Sequence, residues 1–427
     1  MIEKKSAAIG IIGLGYVGLP LSLSFVEADF KVFGLDTDRM KIQRLNNRHT
    51  YITHIQNERI KNAMDSGRFV PTCDFSRAAE ADALIICVPT PLAENGEPNI
   101  SFITDTMNSL LPHLKAGQLL SLESTTYPGT TEEALVVPVT ERGFTIGTDF
   151  FVVYSPERED PGNQSFNTRN IPKILGGHTP SCAKIGLSLY RQVINTVVEV
   201  SSTRTAEMVK LLENTFRLVN ISLINELKIL ADRMGLDINE VIKGAATKPF
   251  GFTPFFPGPG IGGHCIPIDP FYLAWKAKTF GATSRFIELA GEINQAMPGW
   301  VVDKLERALG ESGGKLAGAT ILALGATYKK DSDDIRESPA LEVMKLLHER
   351  GARVSFSDPH VGALPGLSGT GDVLRSLPLT RENLERQDAA ILLTDHSTFD
   401  YRFIQAHSRL IVDTRNVLLP GAGIVKA

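Results

Sequence analysis

The feature that most constrains the fold is a glycine-rich turn near the start of the chain. The apolar run Ile9–Ile12 leads directly into Gly13-Leu14-Gly15-Tyr16-Val17-Gly18, and a helical pattern follows. In this strand–turn–helix setting, Gly13 permits a tight turn, Gly15 lets the backbone approach a pyrophosphate, and Gly18 allows helix and strand to pack closely. The first N–H groups of the helix then face the phosphate charge. The pattern predicts a dinucleotide-binding unit.

Asp36 indicates which dinucleotide is bound. It ends the second apolar run, 21 residues after Gly15. A carboxylate at this position accepts hydrogen bonds from both ribose hydroxyls and repels a 2′-phosphate, which favours NAD over NADP. Lys41 adds charge near the same ribose. A glycine turn without a ligand is the alternative, but the strand, the helix and Asp36 together favour cofactor binding.

Composition excludes several classes of protein. The chain has 427 residues, of which 43% are hydrophobic and 22% charged, and its net charge is -4. This balance argues against a broad electrostatic surface for nucleic acid. No apolar run approaches the roughly 20 residues that span a bilayer, and the first residues carry no signal-peptide pattern, so we expect no membrane insertion.

The four cysteines show neither a metal-binding nor a disulfide pattern. Cys73, Cys87, Cys182 and Cys265 are scattered, without CxxC spacing. We therefore expect no disulfide framework, no zinc or other metal site, and a reduced, cytoplasmic setting. The first three are expected to be structural.

Residues 1–200 alternate short apolar runs with helical stretches. Most of the runs are apolar at consecutive positions, as in strands that are covered on both faces. They lie at residues 7–12, 31–35, 83–88, 119–122, 150–154 and 197–200. The alternation predicts a Rossmann-like, doubly wound parallel sheet.

Residues 201–312 have a helical pattern. From Thr203 to Met234 apolar residues recur at steps of three and four, and Gly235 is a natural stop. The apolar positions are Met208, Leu211, Leu212, Phe216, Val219, Leu223, Leu227 and Leu230. A helix of this length suits a central spine or a dimer interface.

Residues 313–427 return to the α/β pattern. Strands are predicted at residues 319–325, 354–356, 389–393 and 410–412, and Ser338-Pro339 predicts the start of a helix that runs to Arg350. The stretch Gly362–Gly371 is expected to be a surface loop. The predicted fold is α/β, with two Rossmann-like doubly wound parallel-sheet domains joined by an all-helical domain that contains a long central helix.

The loop around Cys265 offers a nucleophile. Gly262-Gly263-His264-Cys265 follows a segment rich in Pro, Gly and Phe, and Asp269 lies four residues further on. Two glycines before a cysteine leave the sulfur approachable, and a thiol adds to an aldehyde. A buried structural cysteine is the competing interpretation. His264 is not assigned as a base, because the side chain next to Cys265 is expected to point elsewhere.

Two further groups of polar residues have the positions of ligand contacts. Lys210, Asn214 and Arg217 are spaced four and three apart and share one helix face. A lysine and an asparagine aimed at one point stabilise an oxyanion, although a solvated face is the alternative. The segments at 123–131 and 154–162 follow predicted strands and bring hydroxyls and carboxylates to the edge where open α/β sheets bind ligands. For these segments the alternative is capping and turn chemistry.

Six motifs in this order resemble the nucleotide-sugar 6-dehydrogenases, the UDP-glucose/UDP-mannuronate dehydrogenase family. They are GLGYVGLP at 13–20, the 121–131 segment, SPER at 155–158, Lys210 with Asn214, GGHC at 262–265 with Asp269, and YKK at 328–330 followed by DIRESP at 334–339. The resemblance covers essentially the whole chain. Ile268 stands where glucose-type members have a lysine, and the runs at 51–55, 122–131 and 247–254 resemble the N-acetylhexosamine branch.

The resemblance implies an NAD-dependent, four-electron oxidation of the C6 hydroxyl of a UDP-N-acetylhexosamine, giving a uronic acid for surface polysaccharide or O-antigen synthesis. It favours UDP-N-acetyl-D-glucosamine and leaves UDP-N-acetylmannosamine, UDP-N-acetylgalactosamine and UDP-glucose as alternatives. It also implies three domains, at residues 1–200, 201–312 and 313–427, and a homodimer or higher homo-oligomer built on the long helix. The more distant alternatives are a hydroxyacid dehydrogenase of the 6-phosphogluconate type, against which the cysteine loop and the second α/β domain argue, and a non-catalytic NAD-binding subunit.

The resemblance also implies roles for individual residues. Cys265 attacks the aldehyde, Lys210 and Asn214 stabilise the oxyanion, and Glu157 activates the water that cleaves the thioester, with Thr126 and Asp269 nearby. The first base is either Lys210 or a water held by Asp269 and Thr126. Cofactor contacts are expected from Gly13, Gly15, Tyr16, Val17, Gly18, Asp36, Lys41, Thr90, Thr126 and Arg336. Substrate contacts are expected from Arg158, Glu159, Lys210, Asn214, Arg217, Gly258, Tyr328, Lys329 and, from a neighbouring subunit, Lys248.

Overall fold

The computed structural model describes residues 1–52, 55–93, 95–159, 168–367 and 371–427. Thr53 and His54 of one family-like run, Asp160–Gly162 of the polar segment and residues 368–370 of the predicted loop lie outside these ranges. The chain forms two compact units, residues 1–213 with 275–282 and residues 214–274 with 283–427. We call them the N-terminal unit and the C-terminal unit. The three predicted domain boundaries stay a prediction.

An eight-stranded sheet lies at the centre of the N-terminal unit. Its strands are β1 (Ala8–Ile12), β2 (Lys31–Leu35), β3 (Phe69–Thr72), β4 (Ala83–Ile86), β5 (Leu119–Leu122), β6 (Phe151–Tyr154), β7 (Lys173–Gly177) and β8 (Val197–Val200). They are arranged in the order β3-β2-β1-β4-β5-β6-β7-β8. Neighbouring strands are parallel except β6 and β7, which are antiparallel. The doubly wound sheet is thus confirmed, with one antiparallel pair that the sequence pattern does not reveal.

The sequence predicts six of these strands, and each is confirmed to within two residues. It does not predict β3 or β7. Strand β3 contains Pro71, which lacks a ladder donor, and it lies at the edge of the sheet, where proline is tolerated. Strand β7 begins with Lys173, whose side chain is buried, and ends in two glycines. Neither strand therefore reads as a simple apolar run.

Helices cover both faces of this sheet. They are α1 (Gly18–Glu27), α2 (Arg39–Asn46), α3 (Asn57–Asp65), α4 (Ser101–Leu110), α5 (Val137–Glu141) and α6 (Pro180–Tyr190), with a π-helical turn at Glu132–Val136 and 3-10 turns at Phe75–Glu80 and Leu111–His113. Ile9 and Ile85 belong to one buried apolar cluster, and Ile12 and Leu84 belong to another. Neighbouring residues of a strand thus fill two cores, which explains the consecutive apolar positions.

Helix α7 (Thr203–Arg233) begins in the N-terminal unit and continues into the C-terminal unit. It confirms the long predicted helix and ends before Gly235, whose φ of +70° suits glycine at a helix end. The helices that follow α7 are α8 (Ile238–Ala245), α9 (Asp269–Thr279) and α10 (Arg285–Glu311). Leu218, Ala274 and Ile287 form a small buried cluster between these helices. Across the described ranges, no helix combines the length and apolarity needed to span a bilayer.

A five-stranded sheet forms the second part of the C-terminal unit. Its strands are β9 (Thr320–Leu324), β10 (Arg353–Ser357), β13 (Ala389–Leu392), β14 (Ile411–Asp413) and β15 (Ile424–Lys426), parallel in the order β10-β9-β13-β14-β15. Helices α11 (Pro339–Glu349), α12 (Arg381–Glu385) and α13 (Tyr401–His407) accompany it. Ser338 occupies the predicted N-cap of α11, but its side chain makes no capping hydrogen bond. Part of the predicted loop at 362–371 is instead a strand: Ala363–Pro365 (β11) pairs with Val373–Arg375 (β12), just beyond the loop, as an antiparallel hairpin.

Candidate active site

The glycine turn after β1 has the geometry that a dinucleotide requires. Gly13 has a φ of +90°, and a Cβ there would lie 2.7 Å from the Cys87 carbonyl oxygen. A Cβ on Gly18 would lie 1.9 Å from the Gly13 carbonyl oxygen, so α1 packs against the turn only with glycine at this position. A Cβ on Gly15 would meet no atom within 4 Å. The open space beside Gly15, at the start of α1, fits a pyrophosphate.

Asp36, directly after β2, is held against this turn. Its Oδ2 accepts a hydrogen bond from the Leu14 N–H at 2.8 Å, and its Oδ1 accepts one from the Asp38 N–H at 2.9 Å. The Lys41 ammonium donates to Oδ2 at 3.2 Å. The Tyr51 hydroxyl donates to the Leu14 carbonyl oxygen at 2.5 Å, and burial, with Asp36 nearby, raises the pKa of this phenol. The carboxylate and the glycine turn are therefore oriented together.

Glu207 of α7, a residue without a recognisable sequence signal, forms hydrogen bonds to the hydroxyl-rich segment after β5. The buried Glu207 carboxylate accepts the Gly129 N–H at 2.6 Å, the Thr131 N–H at 2.8 Å and the Thr131 hydroxyl at 2.7 Å. Burial raises the pKa of Glu207 to about 7. In the same segment the Thr126 hydroxyl is fully buried and has no hydrogen-bond partner among the residues described. A bound water or ligand would satisfy it.

Glu157 follows β6 and is anionic at neutral pH. Its Oε1 accepts hydrogen bonds from the N–H groups of Arg158 and Glu159, both at 2.6 Å. The Lys173 ammonium lies 3.5 Å from Oε2. Burial acts to raise the pKa of Glu157, but Lys173, the two N–H groups and Lys210 outweigh it and hold this pKa below its usual value.

Arg158 and Glu159, which the sequence analysis predicts as substrate contacts, have partners inside the N-terminal unit. The Arg158 guanidinium donates to the Glu213 carboxylate at 2.6 and 3.2 Å and to the Pro172 carbonyl oxygen at 2.5 Å. Glu159 accepts a hydrogen bond from the Thr168 hydroxyl. Burial and the neighbouring Glu157 raise the pKa of Glu159 to about 7.

Cys265 lies in the C-terminal unit, and its side chain is exposed. Its carbonyl oxygen accepts the Asp269 N–H at 2.8 Å, so the cysteine directly precedes the first turn of α9. Asp269 is buried, and its Oδ2 accepts a hydrogen bond from Asn214 Nδ2 at 2.6 Å. The structure thus brings Asn214 and Asp269 together, one hydrogen-bonded turn from Cys265 with its exposed side chain.

The two glycines before this cysteine make room for Tyr328. A Cβ on Gly262 would lie 2.7 Å from Tyr328 Cβ, and a Cβ on Gly263 would lie 2.7 Å from the Tyr328 ring. Gly263 also has a φ of +85°. Burial and the charge of Arg336 lower the pKa of His264, so this imidazole is neutral. The loop geometry therefore requires both glycines.

The other predicted contact residues differ in exposure. The buried or half-buried residues are Val17, Thr90, Lys210, Tyr328 and Lys329. The exposed residues are Tyr16, Arg217 and Lys248. The Arg336 guanidinium donates to the Asp334 carboxylate at 2.6 Å. A phosphate contact from Arg336 would therefore compete with Asp334.

The C-terminal unit contains a pocket of about 620 Å³ that local sequence patterns do not reveal. Phe256, Trp300, Lys228 and Arg415 are among its lining residues. The buried Lys228 ammonium has no hydrogen-bond partner within the described ranges and lies 4.8 Å from the Trp300 ring centroid. Burial and the nearby Arg415 lower the pKa of Lys228 to about 7. A Cβ on Gly258 would lie 2.9 Å from Arg415 Nη1. The available signal in the sequence was Arg415, a cation two residues after the end of the apolar strand β14.

Comparison with known proteins identifies the family. The chain matches the UDP-glucose/GDP-mannose dehydrogenase family over its NAD binding domain (residues 7–194), central domain (204–296) and UDP binding domain (322–420). It is 35% identical to a UDP-N-acetyl-D-glucosamine 6-dehydrogenase of Pseudomonas aeruginosa over 92% of both chains, and 34% identical to a UDP-N-acetyl-D-mannosamine dehydrogenase of Pyrococcus horikoshii over 96% of both. A solved structure of UDP-D-ManNAc dehydrogenase from P. horikoshii has a TM-score of 0.87 at 32% identity and 97% coverage of both chains. The chain therefore belongs to the UDP-glucose/GDP-mannose dehydrogenase family and is an NAD-dependent UDP-sugar dehydrogenase.

Proposed function

We propose that the protein oxidises the C6 hydroxyl of UDP-N-acetyl-D-glucosamine to a carboxylate and reduces two NAD⁺ per sugar. The exposed thiol of Cys265, beside the Asn214–Asp269 hydrogen bond, carries this proposal. Two oxidations at one carbon require a group that retains the aldehyde, and a thiol does so by covalent addition. The P. aeruginosa relative is named for this sugar. The resulting uronic acid serves surface polysaccharide or O-antigen synthesis, and a cytoplasmic location stays a prediction.

The first oxidation converts the alcohol to an aldehyde. When bound, NAD⁺ supplies the acceptor for the hydride. The hydroxyl proton goes to Lys210 or to a bound water. The buried Thr126 hydroxyl, which lacks a partner in the described structure, supports the water, because a bound water would complete its hydrogen bonding.

The second oxidation proceeds on the enzyme. The Cys265 thiolate adds to the aldehyde carbon, and Lys210 and Asn214 donate hydrogen bonds to the resulting oxyanion. Departure of the second hydride from that carbon leaves a thioester. Glu157 takes a proton from the attacking water, the carbon–sulfur bond breaks, and the Cys265 thiolate is restored.

A second copy of the chain is the proposed partner of α7. In one chain the helix exposes a stripe of large apolar side chains at Met208, Leu212, Phe216, Leu223, Leu227, Leu230 and Met234. A soluble monomer rarely exposes a contiguous apolar surface of this size. A two-fold axis that pairs the helix with its own copy would bury the same stripe twice.

The stoichiometry of NADH formation tests the proposed reaction. With limiting UDP-N-acetyl-D-glucosamine and excess NAD⁺, we expect about two NADH per sugar, because two hydrides leave one carbon. UDP-N-acetylmannosamine, UDP-N-acetylgalactosamine and UDP-glucose are assayed in parallel, and the highest kcat/KM identifies the sugar. A ratio near one would show that the reaction stops at a carbonyl and would exclude the thioester route.

A change at Asp36 tests the cofactor assignment. We expect Asp36→Asn to raise the KM for NAD⁺ about tenfold, because a charged hydrogen-bond acceptor for the ribose is lost. The preference for NAD⁺ over NADP⁺, measured as the ratio of the two kcat/KM values, should also decrease. Asp38→Asn is the matched control, since Asp38 is exposed and caps α2, where asparagine is also a good cap. Steady-state kinetics with both cofactors measures the effect. Equal losses in the two variants would argue against a ribose contact from Asp36.

A further inference from the structure

A buried ammonium lies next to the proposed base Glu157. Lys173, at the start of β7, is only 4% exposed. Its Nζ donates to Glu123 Oε2 at 2.9 Å and lies 3.5 Å from Glu157 Oε2. Burying a charged amine is costly unless it is paired, and here one ammonium serves two carboxylates.

Glu123 anchors this ammonium from the end of β5. Its side chain is fully buried, and its Oε1 accepts the Tyr190 hydroxyl at 2.6 Å. The Tyr190 oxygen lies 2.8 Å from the hydroxyl of Ser121, so the chain of contacts continues into the sheet. Each of these groups is placed by a strand or by helix α6, which makes Lys173 a rigid neighbour of Glu157.

The pKa values of Glu123 and Glu157 are shifted in opposite directions by their surroundings. Burial raises the pKa of Glu123, although Lys173 acts against this shift. Glu157 instead has a lowered pKa, since Lys173, two N–H groups and Lys210 together outweigh its burial. Among the described residues, other ionisable groups near Glu157 include Cys87 after β4 and the adjoining Arg158 and Glu159. Two neighbouring carboxyl groups with diverging pKa values are a common arrangement in acid–base catalysis.

The hydrogen bonds of Glu157 distinguish its two oxygens. Oε1 is occupied by two N–H groups at 2.6 Å. Oε2 faces Lys173 at 3.5 Å, which is an electrostatic contact rather than a short hydrogen bond. Oε2 is thus the oxygen suited to take a proton from water.

We propose that Lys173 is a positioning residue for thioester hydrolysis, because its ammonium, anchored by Glu123, holds Glu157 as an oriented anion that receives the proton of the attacking water. The inference rests on the proposed function of Glu157. In this step water adds its oxygen to the thioester carbon, Glu157 takes one proton, and Cys265 Sγ leaves as the thiolate. No further reactant is required.

The test uses charge-balanced variants of the full-length enzyme. Lys173→Met alone would leave Glu123 buried and unpaired, so the main variant combines Lys173→Met with Glu123→Gln. Glu123→Gln alone keeps the ammonium beside Glu157. Lys115→Met removes an exposed lysine of the same unit and is the matched control. The measurements are kcat against pH and intact-protein mass during turnover of UDP-N-acetyl-D-glucosamine with NAD⁺.

We expect the double variant to move the acid limb of the kcat profile up by about one pH unit or more, with roughly tenfold slower turnover below the limb. The first equivalent of NADH should form at the wild-type rate, and a sugar adduct on Cys265 should accumulate at pH values below the shifted limb. In Glu123→Gln the limb should move down, because a like charge near Glu157 is removed. A residue with a merely structural role would not shift the limb in opposite directions.

Two results would overturn the inference in distinguishable ways. If the folded double variant keeps the wild-type pH profile and accumulates no adduct, Lys173 does not act through Glu157, while the proposed function stands. If the wild-type enzyme releases one NADH per sugar and never carries an adduct, the proposed function fails, and the role of Lys173 fails with it.

Discussion

Cys265→Ala is expected to lower kcat by at least about 1000-fold while the fold and NAD⁺ binding persist, since it removes the nucleophile that retains the aldehyde. The side chain is exposed, so its truncation leaves no cavity in a core. NADH formation measures the activity, the melting temperature reports the fold, and NAD⁺ titration reports the cofactor site.

Cys182→Ala provides the contrasting control for this experiment. Cys182 is fully buried in the core of the N-terminal unit, so its truncation should cost about 1 kcal/mol of stability. Its kcat per folded molecule should remain near that of the wild type. Near-normal turnover by Cys265→Ala would contradict the covalent mechanism, whereas loss of stability without loss of chemistry would identify Cys265 as structural.

Leu223→Glu combined with Leu227→Glu is expected to convert the proposed homo-oligomer into single chains. These side chains are 47% and 38% exposed in one chain, and a partner helix would bury them. Two carboxylates placed in that apolar interface would have to be desolvated without partners, which costs several kcal/mol. Sedimentation velocity or light scattering after gel filtration measures the change in mass.

Val373→Glu is the matched control for the interface. Val373 lies on β12 and is 60% exposed, so it tests the same type of substitution away from α7. This variant should keep the wild-type mass, and both variants should keep the wild-type circular dichroism. A wild-type enzyme that sediments as one chain would exclude the proposed interface.

Local sequence patterns predicted the fold correctly where the backbone geometry follows from neighbouring residues. The turn at Gly13 and Gly18 follows from the steric limits of its own backbone, and the stop of α7 at Gly235 follows from helix-ending rules. The apolar runs predict most strands, because a strand covered on both faces has no polar alternation. Pro71 in β3 and Lys173 in β7 interrupt that pattern, and these two strands are missed.

The candidate site was partly predictable for the same reason. Asp36, Cys265 and Asp269 stand at recognisable distances from glycines that shape their own turns. The carboxylate partners of Arg158 and Arg336 could not be predicted from local spacing. Glu213 is 55 residues from Arg158 in the sequence, and the contact between Arg336 and Asp334 depends on the path of the loop. The pocket around Lys228 and Arg415 likewise joins segments far apart in sequence.

By itself, the sequence determined the alternation of most strands and helices, the dinucleotide turn and the residue types available for two-step oxidation, since each depends on near neighbours. Tertiary structure decided which charges are buried and which apolar residues are exposed. A lysine is ordinarily expected at the surface, but Lys173 in β7 is enclosed between Glu123, which follows β5, and Glu157, which follows β6. The sequence places the apolar residues of α7 on a helix that suits a central spine or a dimer interface, and the fold leaves most of them exposed in one chain. Burial depends on contacts between segments distant in the chain, and helical or strand periodicity does not encode those contacts.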